Sequence, residues 1–312
     1  MKKDFPEYYP LTKLQKEKLW DSAIFVFDAS LLLDLYCYSE NTRNDFLDIL
    51  EKMSSQIWLP HQFAYEYQKN RLKIIQQQKR AYADIRQKLQ SNFEFTLKNI
   101  KDRHPFLNID NIIKKIKAGI DDAIKEINDA EKKHPNWSSN DTVRRRLDII
   151  FKDKIGEPCK DIEEMERQGA KRNSREVPPG FEDQKKDRNK YGDWFGWHQI
   201  MEMAEKNKKS IVLVTSEKKR DWWLKIEDEI IEPLPELRKE ISIRGAQFHM
   251  YDMETFLQAA KAKKSTLKEI QEINKTVKNL GTSDTETDSQ LNDHAITQMG
   301  IGSIEAGEQT ET

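Results

Sequence analysis

The chain has 312 residues, of which 37% are hydrophobic and 34% are charged. This length fits one large domain with an insertion or two small domains, and the composition allows a core surrounded by a large area of solvated helix. Two cysteines that are far apart in sequence, Cys37 and Cys159, indicate neither a disulfide framework nor a zinc site and fit a reducing cytosol. With no signal peptide and no run of roughly 18 apolar residues, we expect a cytoplasmic protein without a membrane partner.

The charge is unevenly distributed along the chain. Residues 279–312 contain seven acidic residues and no Lys or Arg, whereas residues 1–278 carry 53 basic and 47 acidic residues, a net charge of +6. A mildly basic body is compatible with nucleic acid as a partner. The acidic tail is rich in Ser, Thr, Gly and Gln, and this composition predicts disorder.

The first predicted elements alternate between strand and helix. The apolar run Ile24–Phe27 predicts a strand that is buried on both faces, and apolar residues at helical spacing predict a helix over 41–53. Residues 56–60 predict a short second strand. From His61 to about Ile100 the chain has no Pro or Gly, which predicts one long helix of roughly 60 Å.

The rest of the chain predicts further elements of both kinds. Amphipathic segments cover roughly 108–133 and 141–154, and a polar loop with Pro and Gly, of a length that is often functional, covers 177–187. Four later elements are predicted: a helix over 193–206, a strand over 210–215, a strand over 247–251 and a helix over 252–262. Strands separated by helices indicate an α/β fold with a mainly parallel sheet.

Five acidic residues follow predicted strands or lie near the starts of predicted helices: Asp28, Glu66, Asp193, Glu217 and Asp221. Asp28 directly follows the first strand, at the position where open α/β sheets bind ligands. The other four can reach the same edge of one sheet. Oxygen ligands suit Mg²⁺ or Mn²⁺ better than zinc, and two such ions can stabilise the attacking and leaving oxygens of phosphodiester cleavage. These acids are therefore candidate metal ligands and catalytic residues.

Each of these acids also has a simpler structural explanation. Asp28 and Asp193 are suited to cap helices, and Glu66 is suited to a solvated helix face. Glu217 could form an ion pair with a basic neighbour such as Lys218, and surface pairs of this kind are common and nearly neutral. The functional interpretation depends on the combination.

Aromatic and basic residues near the acids could contact nucleic acid. Four tryptophans could stack on bases, but we favour the alternative that they pack helix against sheet. The candidates for phosphate contact lie in the polar loop, after the strand at 210–215 and on the long helix, where a solvated face is the alternative. These tryptophans are Trp194, Trp197, Trp222 and Trp223, and these basic residues are Lys185, Lys186, Lys218, Lys69, Arg71 and Lys73.

Five segments together resemble the bacterial PIN-like nuclease domain family, in a subgroup with a large helical insertion. They are Val26–Ser30, Leu59-Pro60 with Glu66, Pro178–Phe181 with Asp183 and Lys186, Tyr191–Trp197, and Val214–Trp223. The resemblance extends from about residue 5 to residue 262, and the last two segments are the most specific. It implies metal-dependent cleavage of RNA or DNA by three or four acids, an active-site layout similar to that of flap endonucleases.

The matching acids are Asp28, Glu66, Asp193 and one acid after Thr215. The subgroup usually has Asp directly after the Val-Thr pair, where this chain has Ser216-Glu217. Glu217 keeps the charge one methylene further out, and Asp221, one helical turn on, could take over. We slightly prefer Asp221 from the sequence and keep both residues as candidates.

The resemblance implies an α/β fold: a PIN-like three-layer domain with a mainly parallel sheet, plus an all-helical insertion. The domain is built from residues 1–70 and 171–265, and the insertion covers 71–170. Residues 266–312 are expected to contain the end of a C-terminal helix and the disordered tail.

The implied function is that of a Mg²⁺- or Mn²⁺-dependent endonuclease with nucleic acid as its partner, and we prefer RNA to DNA as the substrate. A toxin or phage-defence role with a protein partner fits the bacterial relatives. The alternative is a catalytically inactive PIN-like module that binds nucleic acid or a partner protein. The chain contains neither a Gly-x-x-x-x-Gly-Lys-Ser/Thr loop nor a Gly-x-Gly-x-x-Gly fingerprint, which argues against the common nucleotide-binding folds.

Overall fold

A four-stranded parallel sheet forms the centre of the computed structural model, which describes residues 1–100, 106–186, 189–227 and 229–282. Its strands are β1 (Ile24–Phe27), β2 (Ile57–Trp58), β3 (Ile211–Val214) and β6 (Phe248–Tyr251), in the spatial order β2-β1-β3-β6. A separate antiparallel hairpin consists of β4 (Trp223–Ile226) and β5 (Glu229–Pro233). The predicted α/β class with a mainly parallel sheet is confirmed.

Within these ranges the chain forms eleven α-helices. They are α1 (Lys13–Ser22), α2 (Ala29–Asp34), α3 (Glu40–Lys52), α4 (His61–Asn99), α5 (Ile109–Lys133), α6 (Thr142–Ile150), α7 (Ile162–Asn173), α8 (Gly192–Asn207), α9 (Pro235–Ser242), α10 (Met253–Ala259) and α11 (Lys264–Thr282). The sequence patterns predict α3, α4, α5, α6, α8 and α10, but not the other five helices or the hairpin. None of the helices in the described part of the chain is long and apolar enough to cross a membrane.

The two central strands are buried because helices cover both faces of the sheet. Phe25 and Phe27 point to one face, where Phe256 of α10 packs against them with ring centroids 6.3 and 5.5 Å away. On the other face Trp197 of α8 packs against Phe248 of β6, with centroids 4.9 Å apart. Burial on both sides explains why β1 is a continuous apolar run without alternation.

The strand order changes direction between β1 and β3. The chain leaves β1 for β2 on one side, and β3 later pairs with β1 on the other side. Open α/β sheets bind ligands at such a switch point, outside the carboxyl ends of the strands. Asp28 lies at this point, and its backbone N–H donates to the Val214 carbonyl at 3.0 Å. The carboxyl edge of β1 and β3 is therefore the expected place for a functional site.

The helix α4 connects the sheet to the segment predicted as an insertion. It has 39 residues, about 58 Å at the usual rise, which agrees with the predicted long helix. It crosses the predicted domain boundary at residue 70, and α7 crosses the boundary at residue 170. After α6 the chain returns to the sheet, where the Leu59 N–H donates to the Lys154 carbonyl at 3.0 Å. The division into two parts around an insertion over 71–170 stays a prediction.

The last helix, α11, lies beyond the predicted last helix. The residues Leu267, Ile270 and Ile273 recur at helical spacing and pack against the core, which explains why a helix forms here. Because α11 extends to Thr282, it includes the first four residues of the segment 279–312, for which the sequence predicts disorder. Residues 283–312 lie outside the described ranges.

The close contact between α4 and α8 predicts that a single methyl group added at Gly196 destabilises the protein. A Cβ atom at Gly196 would overlap the ring of Phe63, which is 2% exposed and is held by the core. We expect Gly196→Ala to lower the free energy of unfolding by about 1–3 kcal/mol, the usual cost of overpacking. Urea unfolding followed by tryptophan fluorescence measures this change.

The matched control is Gly119→Ala on α5. No atom lies within 4 Å of a Cβ at Gly119, and alanine favours a helix interior over glycine by about 1 kcal/mol. The control should therefore be as stable as the wild type or slightly more stable. If both variants had the same stability, the close packing of α4 against α8 would be refuted.

Candidate active site

Asp28 is held at the carboxyl end of β1 by three hydrogen bonds. Its Oδ1 atom accepts from the Ala29 N–H at 2.6 Å, and its Oδ2 atom accepts from the hydroxyls of Ser30 at 2.6 Å and Thr215 at 2.8 Å. The bond from Ala29 makes Asp28 the N-cap of α2, so the capping role considered above is present. Burial raises the pKa of Asp28, and the charge of Glu217 adds to this rise. The half-buried Asp28 thus links the end of β1 to the end of β3.

Glu66 lies in the second turn of α4 and faces the same edge. Its Oε1 atom accepts hydrogen bonds from Gln62 Nε2 at 2.7 Å and from Asn189 Nδ2 at 2.9 Å. A Cβ atom at Gly192 would overlap this oxygen, so α8 approaches Glu66 closely. Burial raises the pKa of Glu66, and the charge of Asp28 adds to the rise. Glu66 is therefore a partly buried neighbour of Asp28 and differs from the solvated helix residue of the alternative interpretation.

The side chain of Lys219 lies among three carboxylates. Its Nζ atom is 2.9 Å from Asp183 Oδ1, 3.0 Å from Glu217 Oε2 and 3.6 Å from Asp193 Oδ2. Asp183 is 5% exposed and also forms an ion pair with Lys186 at 2.9 Å. Burial opposes the charged form of Lys219, but the carboxylates of Asp193, Glu217 and Asp183 raise its pKa. One ammonium group therefore links acids from three separate segments.

Asp193 lies in the first turn of α8 and faces this cluster. Tyr191 takes the N-cap position of α8, so the capping alternative for Asp193 does not hold. The Oδ2 atom of Asp193 accepts from Trp222 Nε1 at 3.4 Å. Burial raises the pKa of Asp193 against the opposing charge of Lys219, and the charge of Asp183 adds to the rise.

The two candidates for the fourth acid are held in different ways. The Glu217 side chain is 28% exposed, and its Oε1 atom accepts from the Lys218 N–H at 2.9 Å. Its ion pair is with Lys219, not with Lys218. Asp221 is 0% exposed, and its Oδ2 atom accepts from two N–H groups of the turn 180–182, at 2.9 and 3.2 Å. Asp221 therefore fixes a turn, whereas Glu217 lies at the rim of the site.

The turn held by Asp221 belongs to the loop predicted over 177–187. Gly180 has a φ of +99°, in the left-handed region that glycine adopts at low cost, and its N–H donates to Asp221. A short 3-10 helix, Phe181–Lys185, follows and carries Asp183 into the cluster. The remaining Oδ1 atom of Asp221 has no hydrogen-bond partner among the described residues.

Asp34, at the end of α2, is an acid that the sequence analysis does not select. It is 3% exposed, and its Oδ2 atom accepts from the Ser216 hydroxyl at 2.6 Å. Burial raises its pKa to about 7, and the charge of Asp28 contributes. A lone acid within the apolar run Leu31–Leu35 is the signal that could have identified it, because an unpaired buried charge is costly. Asp183 and Lys219 are not selected as site residues either, although both lie in segments that carry the resemblance.

The lysines proposed for phosphate contact lie in two places. Lys185 and Lys218 are exposed, and Lys186 is half-buried through its pair with Asp183. On α4, Lys69 is exposed with its ammonium 5.7 Å from the centroid of the Tyr65 ring, and Lys73 is half-buried.

The structure corrects the expected position of Arg71. This residue is 8% exposed, and its NH1 atom is 2.5 Å from Asp141 Oδ2. Asp141 also accepts from the Tyr36 hydroxyl at 2.8 Å, and the Tyr36 hydroxyl lies 2.9 Å from that of Tyr67. Arg71 therefore ties α4 to the segment before α6 and does not lie on an exposed basic face with Lys69.

The four tryptophans near the acids are all buried, with exposed fractions between 0% and 4%. Their burial favours packing over stacking on bases. Trp197 packs α8 against β6, whereas Trp194 donates to the Met165 carbonyl of α7 at 3.0 Å. Trp223 also donates from Nε1 to the Glu217 carbonyl at 2.7 Å, which fixes the chain after β3.

A cleft of about 760 Å³ opens beside Glu66. Gln62 and Asn189, which hold the Glu66 carboxylate, form part of its wall. Aromatic rings of Tyr65, Tyr191 and Phe195 line it as well. Aromatic faces next to a carboxylate site are suited to stacking on the bases of a single strand.

The donor atoms at this edge are chemically suited to Mg²⁺ or Mn²⁺, because they are carboxylate and hydroxyl oxygens. A cation would also relieve the repulsion between Glu66 and Asp28 and between Asp28 and Glu217. As they stand, no three His, Cys, Asp or Glu side chains of the described ranges are arranged to hold a metal ion. At one end of the site Lys219 explains this, since its ammonium fills the space between the carboxylates.

The buried carboxyl of Asp34 predicts a pH dependence of stability. Its pKa of about 7 in the folded state lies above the value of about 3.9 expected on unfolding. The folded state therefore binds the proton more tightly, and stability should fall as the pH rises from about 4 to 7, by up to about 1.4 kcal/mol per pH unit from this group. Asp34→Asn should flatten this part of the curve.

Urea unfolding in EDTA at several values between pH 4.5 and 8 measures the effect. Some slope should remain in Asp34→Asn, because the pKa of Asp193 is raised as well. The control is Asp21→Asn, a substitution at an exposed position next to the end of α1, which should keep the wild-type slope. Identical slopes for wild type and Asp34→Asn would contradict the raised pKa.

Comparison with known proteins identifies the family. A family model described as a PIN-like domain matches residues 24–237, more than half of the chain and the part that contains all five candidate acids. Searches of curated proteins and of solved structures gave no match. PIN-like domains are in general nucleases that bind nucleic acid and use divalent metal ions. From its match over β1 to α9, and from the acids at the carboxyl edge of its parallel sheet, this chain belongs to the PIN-like domain family.

Proposed function

We propose that this chain is a metal-dependent endonuclease that hydrolyses phosphodiester bonds, with RNA preferred to DNA. One observation supports the proposal: Asp28 interacts electrostatically with both Glu66 and Glu217, and Glu217 interacts with Asp193, so acids from four separate segments lie near one another beside the carboxyl ends of β1 and β3. Gathering like charges costs free energy, and a divalent cation is the compensation that oxygen donors favour. Membership of the PIN-like family supports nuclease activity in general.

In this proposal Asp28, Glu66 and Asp193 hold Mg²⁺ or Mn²⁺, with Glu217 or Asp221 as a further ligand. The ion, when bound, would lower the pKa of a water molecule and neutralise charge on the phosphate. The structure now leads us to propose Glu217 before Asp221, because Asp221 is fully buried and accepts two backbone hydrogen bonds.

Neutral donors would keep the ligands in place. Ser30 and Thr215 fix the orientation of Asp28 through their hydroxyls, and Asn189 fixes that of Glu66 through its amide. Such partners orient metal ligands without competing for their charge.

Substrate would approach over the aromatic cleft and over lysines of the 177–187 loop and of the segment after β3. Lys185, Lys186 and Lys218 would contact phosphates, which gives sequence-independent and salt-dependent binding. The rings of Tyr65 and Tyr191 in the cleft beside Glu66 support a single-stranded substrate, because unstacked bases are available for stacking. This observation favours a single strand over a duplex, and the preference for RNA over single-stranded DNA is tested below.

The alternative function is a catalytically inactive PIN-like module that binds nucleic acid or a partner protein. The position of Lys219 among three carboxylates is the observation in its favour, since an internal cation reduces the need for a metal ion. For either function we propose a cytoplasmic location and a toxin or phage-defence setting, with a protein partner, from the resemblance to bacterial relatives.

The test of the proposal is cleavage by the purified protein. RNA, single-stranded DNA and duplex DNA, labelled at one end, are incubated with Mg²⁺, Mn²⁺ or EDTA. We expect internal cuts in RNA that need the metal and stop in EDTA. Asp28→Asn should reduce the rate by about 100-fold or more, because metal-derived charge stabilisation amounts to several kcal/mol and each 1.36 kcal/mol is a factor of about ten.

The matched control for this substitution is Asp252→Asn. Asp252 also follows a strand of the same sheet, but it accepts from the Thr255 N–H at 2.7 Å and only caps α10. Its loss should leave cleavage intact. If the folded wild-type protein cleaves none of the substrates with either metal ion, the inactive module is favoured. If Asp28→Asn cleaves at the wild-type rate, Asp28 is not a metal ligand.

Two further substitutions separate the candidates for the fourth acid. We expect Glu217→Gln to lose activity with little change in melting temperature, because its side chain lies at the rim. Asp221→Asn should lower the free energy of unfolding by about 1–3 kcal/mol, since an amide leaves buried polar groups unsatisfied. Cleavage rates and melting temperatures of both variants decide the matter. Full activity in Glu217→Gln combined with an inactive but stable Asp221→Asn would assign the role to Asp221.

A further inference from the structure

Lys219 occupies the position that a cation would take at one end of the acidic site. Its Nζ atom lies within 3.6 Å of oxygens from Asp183, Asp193 and Glu217. An ammonium group has three N–H donors, and here carboxylates of Asp183 and Glu217 lie at hydrogen-bonding distance while that of Asp193 lies slightly further away, at 3.6 Å. Two of these carboxylates, Asp193 and Glu217, belong to the ligand set proposed above.

The local chain geometry fixes this lysine in place. The Glu217 N–H donates to the Thr215 hydroxyl at 2.9 Å, and Glu217 Oε1 accepts from the Lys219 N–H at 3.2 Å, so the chain turns back directly after β3. The Trp223 indole then holds the Glu217 carbonyl. The Lys219 side chain is 21% exposed, so most of its length lies against the protein.

The charges divide the site into two ends. At the first end, Asp28 and Glu66 accept hydrogen bonds from neutral side chains and repel each other. At the second end, Lys219 compensates the carboxylates directly. A divalent ion and an ammonium cannot both occupy the space between the carboxylates of the second end. A metal ion at the first end would therefore be held by Asp28 and Glu66 and would reach Asp193 and Glu217 only through the oxygen atoms that do not contact Lys219.

We propose that Lys219 is a positioning residue that acts as a built-in cation, taking the place of one metal ion at the Asp183–Asp193–Glu217 end of the site. This inference rests on the proposed function, but it can be tested separately: removing the ammonium should let the protein bind one more divalent ion. With Lys219 in place, the site would bind one divalent ion fewer than the same acids would bind without it.

The test is the number of Mn²⁺ ions bound per chain, measured by isothermal titration calorimetry on the full-length protein. We expect Lys219→Met to bind one ion more than the wild type. Lys219→Arg keeps the charge and should bind the same number as the wild type. Lys225→Met removes one exposed lysine from β4 and serves as the control for lost charge, with no change in the number.

Thermal unfolding in EDTA gives a second readout that does not depend on catalysis. Without the ammonium the three carboxylates repel each other, so Lys219→Met should melt below the wild type in EDTA and recover more of its melting temperature than the wild type when Mn²⁺ is added. A variant that melts like the wild type in EDTA would overturn the proposal.

The two proposals fail in different ways. If the wild type binds no Mn²⁺ but Lys219→Met binds one ion, the role of Lys219 stands and the metal-dependent function falls. If the wild type and Lys219→Met bind equal numbers of ions, the role of Lys219 is overturned whatever the activity. If Lys219→Met cannot be purified, the same titration of Lys219→Gln decides between these outcomes.

Discussion

The hydrogen bond that Asp28 accepts from the Thr215 hydroxyl joins the end of β1 to the end of β3, where the strand order changes direction. The main difficulty at this point is electrostatic, because several carboxylates are held close together and partly out of water. Each acid has its own kind of partner. Hydroxyl groups donate to Asp28 and Asp34, side-chain amides donate to Glu66, and backbone N–H groups donate to Asp221. The ammonium of Lys219 lies beside the other three acids, which are Asp183, Asp193 and Glu217. The hydrogen-bond donors to Asp28 and Glu66 are neutral, and the charge of Lys186 offsets only part of the repulsion at Glu66, so this end of the site is suited to a cation.

The departure from the family pattern after β3 has a physical explanation in the same network. At the position where the resemblance leads us to expect Asp, this chain has Ser216, whose hydroxyl donates to Asp34 at 2.6 Å. A carboxylate at position 216 would face the buried carboxyl of Asp34 and repel it. The carboxylate that is missing at position 216 is present at the next position, and Glu217 lies near Asp28 and Lys219. The acidic character of the edge is therefore kept with a different arrangement of residues.

The sequence pattern predicted those features that depend on residues close together in the sequence. The run before Asp28 shows a strand buried on both faces, and the absence of Pro and Gly after His61 shows the 39-residue α4. The features that escaped prediction depend on partners distant in sequence. Arg71 looks like a surface residue of α4 until Asp141, 70 residues later, is placed beside it. Lys219 is one of several consecutive basic residues, and only the fold places its ammonium among acids from three segments. The helix α2 has only six residues, so it is too short to show helical periodicity.

The length of α4 has a mechanical consequence for the site. The buried residues of α4 run from Gln62 to Ile75, so Glu66 lies within the part of the helix that the core holds. Beyond Ile75 the helix continues to Asn99, about 36 Å further at the usual rise. A force on this projecting arm acts first on the buried contacts of Ile74 and Ile75 and on the ion pair of Arg71 with Asp141. Bending of the arm would therefore leave the Glu66 backbone in place beside Asp28.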